Sequence, residues 1–370
     1  MLQFLGISWF LQMTIAATSE TFTLDIRAGL EKALDQTLNR PSAENFDACT
    51  FCGFAIGVLA EQLGQSTTEE KILEELEQPE ILHVLAKGRF APQFLCGLML
   101  SGCGESLSDP RIELWPMDIP KDKPDVKHWP VVPSGKPTLR ILHISDLHID
   151  RAYKVGSEAD CDFGNLPKKL CCRQYQGDDP TRPIKKQAGP WGTVASCDIP
   201  FQTFISALNH IKNTEKLDLI YITGDLEAHD IWAYSKTTTS ANIKNITDVL
   251  NSFFPSTPIF QATGNHEGVP MDGMPQHSML NYEKYSPGWL YSEYAEAWAP
   301  QLTPEAINQT KYRASYAMSI KKKLRLISLN TVYCSQFNMF LFLDLYDPDG
   351  TLKWLIEQLL DAESKKEKAA

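Results

Sequence analysis

The sequence predicts an α/β domain preceded by a small all-α domain. Three observations carry that expectation. Apolar spacing is helical before about residue 104 and becomes an alternation of short β-prone runs and amphipathic helices from Leu139 onward. Between the two lies a stretch holding Pro110, Pro116, Pro120, Pro124, Pro130, Pro133 and Pro137. The 9 cysteines fall as Cys49, Cys52, Cys96 and Cys103 before that stretch, Cys161, Cys171, Cys172 and Cys197 after it, and Cys334 alone.

Residues 1–19, "MLQFLGISWFLQMTIAATS", read as a secretory signal. The apolar run has signal-peptide length and ends in the small residues Ala16, Ala17, Thr18 and Ser19. Ser8, Gln12 and Thr14 interrupt it and it is short for a bilayer, so the expectation is an exported chain, secreted or lysosomal, with no transmembrane anchor. Residues 21–104 read as helical in "TLDIRAGLEKALDQTL", "ACTFCGFAIGVLAEQL", "TTEEKILEELEQPEILHVLAKG" and "PQFLCGLMLSGCG". Cys49 and Cys52 share one helix face, and so do Cys96 and Cys103. The economical pairing is nested, Cys49 with Cys103 and Cys52 with Cys96, clamping the first helix to the last. This segment resembles a saposin-type domain lacking one of the usual cystines, which implies lipid handling; a disulfide-stapled bundle with no lipid role is the alternative. Residues 105–138 form a linker, because proline at that density blocks helix and sheet alike. Trp115 and Trp129 within it predict a linker packed on a domain.

From Leu139 to Ala370 the expected order is strand "TLRILHIS", helix "PFQTFISALNHIKNT", strand "LDLIYITGD", helix "SANIKNITDVLNSFF", strand "PIFQATGNHE", then strands "RASYAMSI" and "LRLISLN". The first of these is expected to be a buried strand. A last helix, "DGTLKWLIEQLLDAESKKEKAA", is expected to run to the final residue.

The net charge is −11 and no Lys/Arg tract is dense enough to track phosphates, which excludes a nucleic-acid backbone as partner. The cysteines suit an oxidising compartment. Asn245-Ile246-Thr247 and Asn308-Gln309-Thr310 are glycosylation sequons.

The chemistry is written at strand ends. Asp146 and His148 follow the first strand, Gly224-Asp225 the second, and Gly264-Asn265-His266 the third. In open α/β sheets, ligands collect beyond the carboxyl ends of strands. Carboxylates and imidazoles with one amide oxygen suit Zn, Mn or Fe. An aspartate bridging two cations holds them roughly 3.5 to 4 Å apart, as binuclear hydrolases require. Each motif alone is a turn or loop signal.

Together, D-x-H, GD and GNH, each after a strand, resemble the calcineurin-like metallophosphoesterases, and within them the acid sphingomyelinases. "HISDLHID", "ITGDLEAHDIW", "TGNHEGVP", "LRLISLNTVYCS" and the cysteine cluster "CDFGNLPKKLCCRQY" carry that likeness, as does the layout of helical domain, linker and catalytic domain. The resemblance implies a metallophosphoesterase-type sheet sandwich flanked by helices over residues 139–370. It implies two zinc ions, with Asp146 and His148 on one, Asp225 bridging and Asn265 on the other. It implies that a zinc-bound hydroxide attacks the phosphorus of sphingomyelin to give ceramide and phosphocholine, with His266 and His229 contacting the phosphate and assisting the leaving alkoxide. The saposin-like part would engage sphingomyelin or a related phospholipid at a membrane surface. His83, His128, His143 and His210 are expected to be surface or structural.

The family pattern continues with G-H and G-H-x-H motifs supplying three further histidines, whereas the last of the 8 histidines here is His277. Cys334 is left without its family partner, while Cys161 can pair with Cys171 and Cys172 with Cys197. Both facts lead to the expectation of a domain that is incomplete at its C-terminus, with under-coordinated zinc and little turnover of its own. Alternatives are an unusual member filling the positions with water or a partner's side chains, an inactive lipid-associating fragment, and a nucleotide-type phosphodiesterase.

Overall fold

The computed structural model describes residues 138–161, 170–175, 183–279, 281–335, 337–343 and 346–370, together with Pro120 and Gly135. The signal segment, the helical segment with Cys49, Cys52, Cys96 and Cys103, and nearly all of the linker lie outside the described residues. Contacts divide the chain into two units, Met1–Trp115 with Gly164–Pro167 and Met339–Tyr346 being one. Its described part is a 3-10 turn over Met339–Phe342 and the few residues after it. The other unit, Pro116–Phe163, Lys168–Asn338 and Asp347–Ala370, carries the structure below.

Its centre is a parallel three-stranded sheet in the order β1 (Ile141–Ile144), β4 (Leu219–Ile222), β5 (Ile259–Gln261). Leu219, Ile220 and Ile222 of β4 are buried, as a central parallel strand covered on both faces requires. β1 differs from expectation. It lies at the sheet edge with alternating exposed and half-buried positions, Ile141 being 40% exposed, because only β4 pairs with it. β2 (Ile149–Asp150) and β3 (Ile199–Pro200) make a two-residue parallel pair beside the site loops.

Helix α1 (Phe201–Thr214) follows β3, and α2 (Lys236–Phe253) precedes β5. Ser235 caps α2 by accepting from Thr238 N–H, and the Thr238 side chain accepts in return from the Ser235 N–H, so two otherwise orphaned donors are satisfied. Phe204 and Leu208 of α1 and Ile243, Ile246 and Leu250 of α2 meet Ile220 and Ile222 in one core.

Between the GNH loop and β6 lie three helices that strand-centred reading of the sequence passes over: α3 (Tyr282–Tyr285), α4 (Gly288–Ala297) and α5 (Pro304–Arg313). Their start signals are present, since Thr303 caps α5 by accepting from Ala306 N–H and Pro304 occupies its first turn. α4 packs on α2 and α5, burying Leu290, Tyr291 and Tyr294.

A second sheet has the order β6 (Tyr316–Lys321), β7 (Leu324–Ser328), β8 (Lys368–Ala369), antiparallel and then parallel. The terminal helix corrects the sequence-based expectation. α6 (Thr351–Ser364) stops short of the end; Lys366 turns at φ 55°, and β8 pairs with β7 at Leu324 and Arg325. The open edge of β7 outweighs helix propensity in residues 365–370, and Arg325 fastens the turn through Asp361 and Glu367. Among the described residues no helix is long and apolar enough to cross a membrane.

Candidate metal centre

The loops after β1, β4 and β5 emerge on the same end of the sheet. Asp146 N–H donates to Gly224 O at 3.3 Å, His148 N–H to Asp225 O at 3.0 Å, and Ile149 N–H to Leu226 O at 3.0 Å, so the first two loops run on in parallel past their strands. The second and third loops touch backbone to backbone. A Cβ on Gly224 would lie 2.1 Å from Gly264 N, and one on Gly264 would lie 2.1 Å from Asp225 Oδ1. Glycine is therefore required at both positions by space, and at Gly224 also by φ 87°. Asp146, His148 and Asp225 all hold positive φ, at 54°, 39° and 58°. Such a cluster of left-handed non-glycine residues is strain held by the surrounding fold, and it aims the side chains together.

Side-chain ligand atoms of Asp146, His148 and Asp225 lie within 4.8 Å of one another, and so do those of His148, His229 and His266. His148 belongs to both groups. The His148 ring centroid is 3.9 Å from that of His229 and 4.7 Å from that of His266. His266 N–H donates to Asp225 Oδ1 at 3.0 Å. The Asn265 amide faces the same carboxylate at 3.1 Å and 3.3 Å. With its nitrogen there it donates to both oxygens, and with its oxygen there it faces the carboxylate acceptor to acceptor, which a cation between them would relieve.

The three imidazoles are set alike. His148 Nδ1–H donates to the Glu227 carbonyl at 2.7 Å, and His229 Nδ1–H donates to Asp198 Oδ1 at 2.8 Å. Tyr234 O–H donates to the Ala228 carbonyl at 2.6 Å, so its oxygen accepts from His266 Nδ1–H at 2.7 Å. With Nδ1 engaged in every ring, Nε2 is the nitrogen left for the site, as a lone pair while the ring is neutral and as an N–H donor once it is protonated.

Electrostatics separate the two histidines His229 and His266. The hydrogen bond that His229 donates to Asp198 raises its pKa above the ordinary value, against partial burial. Burial lowers His266 to about 4, with His148 and His229 adding to the shift against the pull of Asp225. Burial also pushes Glu267 up to about 7 and raises Asp272.

The structure thus brings Asp146, His148, Asp225, Asn265, His229 and His266 to one place. It adds Asp198, Tyr234 and Glu267, which sequence reading did not single out. Glu267 follows the GNH triplet directly, so position was its only signal; Asp198 sits in "CDIP" with none. His143 is exposed and bonds Thr223 Oγ1 at 3.0 Å, and His210 is exposed on α1. His277 packs flat between Tyr282 and Tyr312, paired with Asp349 at 2.9 Å. Cys161 bonds Cys171 and Cys172 bonds Cys197, while Cys334 is a free thiol. Asn245 on α2 and Asn308 on α5 are exposed, and the sequon threonines Thr247 and Thr310 are buried.

Residues 139–368 match the calcineurin-like phosphoesterase family. The chain belongs to that family. Family membership implies divalent metal, and the mixed carboxylate, imidazole and amide donors around Asp225 fit it. The chain is 42% identical over 368 residues to sphingomyelin phosphodiesterase 2 of Caenorhabditis elegans, covering 91% of this chain and 59% of that protein. It is 35% identical over 295 residues to human sphingomyelin phosphodiesterase, covering 79% and 45%. A human cyclic GMP-AMP phosphodiesterase is 30% identical over 248 residues, covering 65% and 49%. The chain thus spans about half the length of the curated relatives it matches.

Proposed function

We propose that this chain carries a sphingomyelin phosphodiesterase-type site, cleaving sphingomyelin to ceramide and phosphocholine with two zinc ions. The observation that carries it is that His148 shares one ligand group with Asp146 and Asp225 and another with His229 and His266, the ligand atoms of each group lying within 4.8 Å of one another. Relatives named as sphingomyelin phosphodiesterases support the lipid substrate. Asp146 and His148 would hold one ion, Asp225 both and Asn265 the second. Bound there, the ions supply charge stabilisation for the phosphoryl oxygens and an activated water.

The remaining work belongs to the chain. Asn265 offers its amide to a phosphate oxygen or to the second ion, and His266, kept neutral by burial with its proton on Nδ1, presents an Nε2 lone pair to a cation or a substrate proton without adding charge. His229 keeps its proton below its raised pKa, because Asp198 holds Nδ1–H and stabilises the imidazolium. Its Nε2–H is the group placed to protonate the departing alkoxide. The segment over residues 21–104, which the sequence reads as helical, would deliver the lipid, and export through the leader to a secreted or lysosomal location agrees with the two cystines among the described residues.

The test uses the purified full chain with zinc added, assayed on labelled sphingomyelin vesicles and on a nucleotide phosphodiester at acidic pH. Release of phosphocholine that is lost in Asp225→Asn supports the reading. Preferential nucleotide cleavage moves the substrate to the nucleotide class, and vesicle binding without any hydrolysis replaces the enzyme with a lipid-associating protein.

A further inference from the structure

Glu267 is 1% exposed and makes no contact that any step above uses. Its Oε1 accepts the Leu226 N–H at 2.6 Å, and its Oε2 accepts the Gly264 N–H at 2.7 Å and the Asp225 N–H at 3.2 Å. Two of these donors belong to the loop after β4 and one to the loop after β5. The same two loops carry Asp225 on one side and Asn265 with His266 on the other.

We propose that Glu267 is the positioning residue that locks these two loops into one register, and with them the ligands on either side of the metal pair. This rests on the metal-centre reading above. Both oxygens of the carboxylate are engaged as acceptors, so the chemistry is specific. A glutamine presents an NH2 group to one of the loops, donor against donor, and leaves at least one buried N–H unpaired. An aspartate is one methylene too short to span the same three donors from the same backbone position. The demand for a carboxylate follows from the glycine contact. With Gly224 packed on Gly264, no side chain from either residue is available to bridge the loops, and hydrogen bonding to a third group is the remaining way to hold backbones that close. His266 N–H on Asp225 Oδ1 is then the outer stitch of the same seam.

The experiment follows amide hydrogen exchange in the intact chain at pH 8, metal-free and zinc-loaded, over residues 223–227 and 263–267, with β6–β7 as internal reference. In the wild type these amides are protected in both states. In Glu267→Gln both loop segments exchange at least about tenfold faster while β6–β7 is unchanged, as expected when a buried charge-assisted hydrogen bond is lost. Leu208→Ala, a core truncation far from the loops in sequence, provides a destabilised control that retains zinc uptake, whereas Glu267→Gln loses it.

Unprotected wild-type loops, or a Glu267→Gln profile that matches either wild type or the uniform loosening of Leu208→Ala, overturns the proposal. Where wild type takes up zinc, equal uptake by Glu267→Gln does so as well. Selective loosening of the two loops in Glu267→Gln when wild type itself takes up no zinc leaves the lock standing and removes the metal reading instead.

Discussion

Asp198 grips His229 twice: Oδ1 accepts the ring Nδ1–H at 2.8 Å and Oδ2 accepts the backbone N–H at 2.6 Å. One carboxylate therefore fixes both where the residue sits and which ring nitrogen faces the site. Removing its charge changes the second without abolishing the first. In Asp198→Asn the His229 pKa falls toward or below the ordinary value of about 6.5. NMR titration of the metal-free protein reads this directly. Because the folded pKa of His229 is raised, the pair stabilises the fold fully below about pH 6.5 and loses that contribution as pH rises through the folded value. The stability gap between wild type and Asp198→Asn is thus larger at pH 5 than at pH 9. A gap independent of pH would contradict the assignment.

His266 titrates in the opposite sense. Its folded pKa is lowered to about 4 by burial, so between about 6.5 and 4 the unfolded chain binds the proton and the folded chain does not. The metal-free protein loses stability as pH falls through that window, by something on the order of 2–3 kcal/mol from this group. Urea melts of wild type and His266→Gln at pH 7, 5.5 and 4 test it, and the difference between the two should shift toward the variant as pH falls.

Gly264→Ala places a methyl 2.1 Å from Asp225 Oδ1 and 2.3 Å from Asp225 N. Both neighbours are held by Glu267 or its loop, so the backbone must move. The expected cost is about 1–3 kcal/mol or more from overpacking, with loss of zinc uptake. Thermal unfolding and metal analysis check the two parts. Gly288→Ala, whose Cβ would meet only the Ser286 Oγ, at 3.1 Å, and whose φ is not in the left-handed region, serves as the comparison.

The Cys172–Cys197 bond closes a 25-residue separation and ties the segment around Ala159 and Ala188 to the start of β3. Loop-closure entropy puts its contribution at about 3 kcal/mol. Cys172→Ala with Cys197→Ala should lower the denaturation midpoint accordingly. Asp198 follows Cys197 directly, so the double variant should also blunt the His229 titration, which an effect on stability alone would leave intact.

Much of this was legible in order along the chain. The β1, β4 and β5 segments read as strands because β-prone apolar runs stop at Asp146, Gly224 and Gly264, and α1 and α2 read as helices from their periodicity. The alternation of strand and helix read as α/β, and the parallel pairing of these strands came with the structure. The second pair of cystines was legible too, since Cys161, Cys171, Cys172 and Cys197 lie close together in sequence. Residues 282–313 were harder, because aromatic residues such as Tyr291, Tyr294 and Trp298 are as common in strands as in helices. Their helical state is decided by packing on α2. Residues 365–370 carry helix formers, yet Lys368 and Ala369 pair with β7, since an open strand edge offers hydrogen bonds that a fraying helix end lacks.

The sequence by itself determined which residue types stand at the strand ends, and therefore the metal-binding chemistry of the family. It did so because strand, turn and ligand are neighbours along the chain, where local propensity acts. Only the tertiary structure decided that the Glu227 carbonyl, Asp198 and Tyr234 set the three histidine tautomers and that Glu267 spans two loops. Those partners lie up to 79 residues from the rings they orient, and nothing short of the folded sheet brings them within hydrogen-bonding distance.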